Sequence, residues 1–393
     1  MLFFRLSIIW LFLLESTLQG GLLAAFPHKP RLTWRARRTR VHSTESYRAV
    51  HEHHLEERGW AWPGGFLPDR EGLPLPLHHS NALPAPRLSG VPRNLIAIPE
   101  AFGYGREAAG GLAGRHIFVT SYADDGVGTL REACALSGPY YIHFQSNAIL
   151  RLNSTIQCKS FKTVDGDGWT VQILGFGIDI TGQESVVIKN IAFIRSKAEG
   201  IAIRNSRHIW VDHCVIQDAG KSAVLVEGMS RAITVSYCLM KENWEGLSLG
   251  GPNYFSGDKL MTVTVAFNVF VRSGSRTPLV RFGTCHLCNN VYDGAGRFSI
   301  SALYGARLLV QNNYFTSNEQ SQIGDGLADG SMTGDPAIIG WQGNLFDDGT
   351  PAHPPPLRAN LAGSTLGIVT LTFACPRLPR HTIIRDAGPQ RRS

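Results

Sequence analysis

Several absences narrow what these 393 residues can form. No stretch of useful length repeats apolar residues at the 3.6-residue spacing of an amphipathic helix, which excludes a helical bundle or helical array. The Leu-x-x-Leu-x-Leu frame of leucine-rich repeats is missing. After the first 25 residues no apolar run reaches the length of a membrane span. Cys285-x-x-Cys288 has no second cysteine pair to complete a zinc site, so a zinc module is rejected. No basic groove interleaved with aromatics argues for nucleic acid. A single glycosylation sequon occurs, Asn153-Ser154-Thr155.

What is present is a repeat. Short apolar runs ending in a small polar residue recur as Val187-Ile188-Lys189-Asn190, Val211-Asp212-His213-Cys214, Val235-Ser236-Tyr237-Cys238, Val265-Ala266-Phe267-Asn268, Leu287-Cys288-Asn289-Asn290 and Val310-Gln311-Asn312-Asn313. Their last residues are 24, 24, 30, 22 and 23 positions apart. A period in the low twenties built from β-branched runs and Asn or Gly turns is that of a solenoid. A parallel β-helix fits it, with equivalent residues stacked one strand spacing apart, roughly 4.8 Å. The longest interval implies an inserted loop at 250–259, and in solenoids such loops often border the binding cleft. Cys214 and Cys238 then stack one coil apart, either as a disulfide or as buried thiols; Cys134 and Cys158 share their spacing.

The termini differ in character. Arg5, an apolar run from Leu6 to Leu14 and the small residues after it read as a secretory signal over 1–25, with a signal anchor as the alternative. Residues 26–95 are Pro-rich, hold seven of the fourteen histidines and carry eleven Arg or Lys against six acids. They read as a flexible or processed extension, either a solvated linker or a segment that holds the protein on an acidic matrix. Residues 351–393 carry six basic residues and one acid, so the formal charge of +7 comes from the ends, and 96–350 sum to −3. The solenoid is expected over 96–346, and the Pro-rich basic tail over 347–393 either covers the last coil or is disordered.

Arg276-Thr277-Pro278-Leu279-Val280-Arg281-Phe282-Gly283 carries the most chemistry. Two guanidinium groups five residues apart in an apolar segment suit a substrate bearing a row of carboxylates. The segment sits within a longer ordered set. Ala101-Phe102-Gly103-Tyr104-Gly105 is followed by Gly110-Gly111, Gly126-Val127-Gly128-Thr129-Leu130-Arg131-Glu132-Ala133, Lys162-Thr163-Val164-Asp165-Gly166, and Trp210-Val211-Asp212-His213-Cys214. Together these residues resemble the pectate lyase and pectin lyase family over 99–345.

The resemblance implies a secreted, all-β, right-handed parallel β-helix of the pectin lyase type with a short N-terminal capping helix. It implies eliminative cleavage of α-1,4-linked galacturonan (pectate or pectin), with Arg276 as the base for the C5 proton and Arg281 as a binder of the substrate carboxylate. Free guanidinium is essentially always protonated, so the base role needs a strongly perturbing environment. Asp212 and His213 are expected to support the scaffold. Family members that use Ca²⁺ gather acidic side chains in the coils before the arginines. Here the aligned positions keep Glu199, with Asp218 nearby, while Lys197 and Lys221 occupy expected ligand positions. Three readings stay open: lysine replaces the metal's charge and binds substrate, the site is eroded, or the ligand positions are shifted by one or two residues and substrate supplies the missing oxygens. The partner expected is an acidic polysaccharide, bound by a monomer with no nucleic acid and no membrane span. A β-helix hydrolase of the polygalacturonase type is disfavoured, because no Asn-Thr-Asp or Gly-His-Gly segment occurs. The rival from another class is a catalytically weakened carbohydrate-binding protein with an eroded calcium site.

Overall fold

The computed structural model of the chain describes residues 101–166, 168–251, 256–294, 299–316, 323–324, 337–347, 352, 375 and 377–390. The expected leader over 1–25, the extension over 26–95 and most of the tail after 347 lie outside these residues. The described chain winds as a parallel β-solenoid, contributing strands in turn to sheets of ten, nine and eight strands. One coil consists of Arg207–Asp212, Val215–Gln217 and Ser222–Glu227, and the next of Arg231–Ser236, Leu239–Lys241 and Glu245–Leu249. Each strand pairs in parallel with its equivalents one coil before and one coil after.

The repeat produces this winding because inward positions are apolar in every coil. Ile188, Val211, Val235, Val265, Leu287 and Val310 are in register along the ten-stranded sheet and fully buried. Each contributes roughly 1.5–3 kcal/mol of hydrophobic stabilisation. Phe270, Tyr292, Phe315 and Trp341 stack in successive coils with centroids 5.2, 4.9 and 5.8 Å apart. The register corrects one part of the repeat as read from sequence. Asp212 pairs with Lys189, so Asn190 is equivalent to His213 and not to Cys214, and the first interval is one residue shorter.

After six successive strands of this sheet a single non-glycine residue takes positive φ and turns the chain into the next sheet: Asn190, His213, Tyr237, Phe267, Asn289 and Asn312. Left-handed backbone is unfavourable for residues other than glycine and asparagine. Stacking offsets that cost at three of these turns, where His213, Tyr237 and Phe267 lie ring on ring at 4.8 and 4.7 Å. The next position is an asparagine ladder. The backbone N–H groups of Cys238, Asn268, Asn290 and Asn313 donate to the Oδ1 atoms of Asn268, Asn290, Asn313 and Asn344, one coil on, at 2.9 to 3.0 Å. The Nδ2 groups of Asn268, Asn290 and Asn313 donate to the same oxygens. Cys214 and Cys238 occupy the earlier rungs as buried free thiols, and Cys134 and Cys158 are also buried and free.

The expected capping helix is Leu130–Ala135. Thr129 accepts from the Glu132 N–H, and Glu132 reaches back to accept from the Gly128 N–H at 2.6 Å, a capping box displaced by one residue at its second bond. The glycine-rich entry segment lies on the outer face of the ten-stranded sheet. Gly105 N donates to Thr234 Oγ1 and Gly111 N to Thr163 Oγ1, both at 2.9 Å. A Cβ at Gly111 would sit 1.8 Å from the Tyr140 carbonyl oxygen, so the approach requires glycine. The other end of the chain docks near the same sheet. Cys288 and Cys375 form a disulfide, Leu378 N donates to Asn289 Oδ1, and after the helix Arg380–Asp386 Gly388 N donates to Tyr237 O at 2.7 Å. Cysteine spacing had pointed elsewhere, because Cys375 lies outside the repeat.

Two outcomes test this fold. Asn290→Ala removes the acceptor of two buried N–H groups and should cost about 2–4 kcal/mol in chemical denaturation; a loss below about 0.5 kcal/mol would show the ladder to be dispensable. His286 is buried, and burial pushes its pKa below 6.5 against a hydrogen bond to Gln311 that pushes it up. The unfolded chain therefore binds a proton that the native state resists, and stability falls as pH drops through 6.5. His286→Leu should flatten that acid-side decline in melting temperature, and a decline as steep as in the wild type would remove His286 from it.

Candidate functional site

With the ten-stranded sheet covered by the entry segment, an open cavity of about 370 Å³ lies along the eight-stranded sheet. Successive coils supply its residues at equivalent corners. Ser222 pairs with Glu245, and Glu245 bridges to Ser275, which brings Arg276 beside Glu245. At the other end of the strands Arg204 pairs with Glu227, while Leu249 is in register with Val226 and Val280. Arg204, Glu227, Gly250 and Arg281 thus share one position in four coils. Gly250 is required there: it has a φ of +100°, and a Cβ would meet Arg281 Cβ at 2.8 Å. The inserted loop borders the cavity through Gly250 and Gly251, held by the buried Asp258, whose Oδ2 accepts from Gly251 N at 2.6 Å.

The sequence-predicted arginines both line this cavity, as do Lys221 and Glu199. Arg276, at a positive-φ turn, pairs through NH1 with Glu245 Oε1 at 2.8 Å. The other oxygen of Glu245 accepts from Ser222 Oγ at 2.7 Å and Ser248 Oγ at 3.1 Å. Arg281 differs. Among the described residues its Nε is buried without a hydrogen-bond partner, and NH1 reaches the Gly250 carbonyl at 3.5 Å. Burial, and then the charge of Arg276, lower its pKa, with Tyr304 and Glu245 acting in the opposite direction.

Lys197 and Asp218 are exposed and are not among the residues lining the cavity; Lys197 lies over the Phe176 ring at 5.6 Å. Asp212 and His213 lie on the ten-stranded sheet and its turn, 2.5 Å apart, with Asp212 also accepting from Ser236. That hydroxyl in turn accepts from Trp210 Nε1 at 2.9 Å.

Sequence reasoning missed the centre of the charge network. Arg204 holds Asp179 Oδ2 at 2.6 Å, Glu227 Oε1 at 2.9 Å and Glu199 Oε1 at 3.4 Å. Burial works against its charge, but the Glu227 hydrogen bond and the three carboxylates outweigh that and raise its pKa. The 23-residue separation of Arg204 and Glu227 is the repeat interval, a signal legible only once the register is known.

This arrangement does not fit a calcium ion. Ca²⁺ takes six to eight oxygen ligands. Glu199 is already shared between Arg204 and Lys221, the latter at 3.5 Å, and Asp218 is not beside it in the cavity. Among the described residues the compact metal-sized grouping is His286 with Cys288 and Cys375, whose two sulfurs are consumed by the disulfide.

The chain is similar to known proteins of one family. A family model described as pectate lyase matches residues 150–348. Pectate lyase 2 of Ambrosia artemisiifolia is 30% identical over 268 residues, covering 61% of this chain and 67% of that one. A pectate lyase of Nicotiana tabacum is 31% identical over 248 residues, covering 56% and 62%. Among solved structures, the major cedar pollen allergen superposes with a TM-score of 0.62 at 22% identity, covering 74% of this chain and 93% of that one. A pectate lyase from Bacillus sp. N165 in complex with trigalacturonate gives 0.57 at 19%, covering 73% and 98%. The fold is thus that of a pectate lyase β-helix. The chain belongs to the pectate lyase family. It spans less than two thirds of the length of two Arabidopsis thaliana relatives, 62% and 63%.

Arg204→Ala should lower stability by about 2–4 kcal/mol, because three carboxylates lose their shared counter-charge. The wild-type melting midpoint should be the same in calcium and in chelator. A rise with calcium that Glu199→Gln removes would mean that the carboxylates do hold the ion.

Proposed function

We propose that this protein is a polysaccharide lyase that cleaves α-1,4-linked galacturonan by β-elimination. One observation carries the reading: Arg276 and Arg281 line a single open cavity, and Arg281 has a buried Nε with no partner among the described residues. A guanidinium disfavoured by burial and by a second guanidinium gains most from an incoming carboxylate. The trigalacturonate bound by the Bacillus relative is a ligand of that chemistry.

In this reaction Arg281 binds the carboxylate at C5 of the reacting sugar and spreads the charge that develops there. Arg276, after giving a proton of its own to solvent, takes the C5 proton at the nitrogen so freed. The C5–H electron pair becomes the C4–C5 double bond, the C4–O bond breaks, and the departing oxygen takes a proton from water to leave as a hydroxyl. The Glu245 contact engages NH1 of Arg276, so the opposite terminal nitrogen, NH2, is the one proposed to meet the substrate. Lys221, exposed at the mouth of the cavity, adds positive charge along the polymer; Lys197 is further off and serves at most the approach of a polyanion. No step runs through calcium. Export agrees with the Cys288–Cys375 disulfide, a bond that persists in oxidising compartments. The protein is proposed to act as a monomer.

The second reading, a carbohydrate-binding protein with weakened catalysis, is favoured by one contact. The same Glu245 that orients Arg276 also ties it to an acid. Turnover decides between them. Folded wild-type protein should release unsaturated product from polygalacturonate or methylated pectin, seen as rising ultraviolet absorbance, with or without chelator. Arg276→Ala should lower kcat by about 10²–10⁴-fold, and Arg281→Ala should act mainly on KM. Absence of product from both polymers would leave the binding reading standing.

A further inference from the structure

The cavity has a charge balance unusual for a polyanion site. Its lining holds three cations, Lys221, Arg276 and Arg281, and three acids, Glu199, Glu227 and Glu245. Pairing is nearly complete. Lys221 meets Glu199 at 3.5 Å, Arg276 meets Glu245 at 2.8 Å, and Glu227 is taken by Arg204 at 2.9 Å. Arg281 alone among these cations has no carboxylate within ion-pair distance among the described residues. The other notable lining groups are uncharged: Leu225, and Trp244, which is 70% exposed next to Glu245. An exposed indole offers an apolar platform to the C–H face of a sugar ring or to an ester methyl, and it leaves a dense row of charges unsatisfied.

We propose that Glu245 is a specificity-determining residue. By neutralising Arg276 it leaves Arg281 as the one lining guanidinium open to a substrate carboxylate, so the cleft takes a uronate chain with one free carboxylate flanked by esterified or neutral sugars, in preference to a fully charged run. This deepens the galacturonan reading and rests on it. Glu245 is built for the role because its second oxygen is held by Ser222 and Ser248, themselves 2.8 Å apart, so the carboxylate stays fixed on Arg276 without following the ligand. A second substrate carboxylate beside the reacting sugar would find Arg276 already neutralised by an acid anchored by two hydroxyls, and would meet that acid's negative charge.

Titration calorimetry on the full chain tests this with two probes, trigalacturonate and the same trimer methyl-esterified at two of its three carboxyls. The wild type should bind the diester roughly tenfold more tightly than the triacid. Glu245→Gln, which keeps shape and hydrogen bonding to the serines, should tighten the triacid about tenfold and leave the diester nearly unchanged. Trp244→Ala, at an exposed position, should weaken the diester more than the triacid. Preference of the wild type for the triacid, or a Glu245→Gln variant that loses affinity for both probes alike, would overturn the specificity role while leaving the galacturonan reading intact. Failure of the folded wild type to bind either probe would overturn both.

Discussion

Everything in this molecule depends on the parallel, in-register stacking of its coils. Each strand hydrogen-bonds to its equivalents before and after it, so a residue type that works at one position is repeated along a column. The column of Ile188, Val211, Val235, Val265, Leu287 and Val310 is the apolar form of that rule, and the asparagine ladder from Asn268 to Asn344 is the polar form. The same geometry makes the site. Charged side chains on the outer face of one sheet are brought next to each other by the stacking, whether or not they are close in sequence.

Stacking also explains why the charges pair as they do. Coil equivalents lie about one strand spacing apart, roughly 4.8 Å, so like charges in one column would repel strongly. In the column of Arg204 and Glu227 the sign alternates, and the following position is Gly250, whose missing side chain makes room for Arg281. Arg281 is left with an incompletely satisfied guanidinium, the physical basis for assigning carboxylate binding to it. Arg276, five residues earlier in the same coil, is stabilised by Glu245 and differs from it in kind despite the symmetry of the hexapeptide.

Much of the architecture was legible in the chain itself. The period, the capping helix signalled by Gly128-Thr129, and the loop bordering the cavity all follow from local patterns of apolar, turn and capping residues. The register was less secure: Val187-Ile188-Lys189-Asn190 offers two frames one residue apart, and the side chains that meet across coils decide between them. The disulfide partner of Cys288 was out of reach because Cys375 belongs to a tail with no repeat to align.

The sequence by itself determined a β-solenoid with two arginines suited to carboxylates, since short-range periodicity and residue chemistry suffice for both. Only the tertiary structure decided which groups neutralise which. Arg204 is an unremarkable strand-end arginine until Asp179, Glu199 and Glu227 are brought around it, and Glu245 is an ordinary acid until it meets Arg276 across the coil. Electrostatic interactions depend on distances of a few ångströms between residues some 20 to 30 positions apart, and those distances exist only once the coils have stacked.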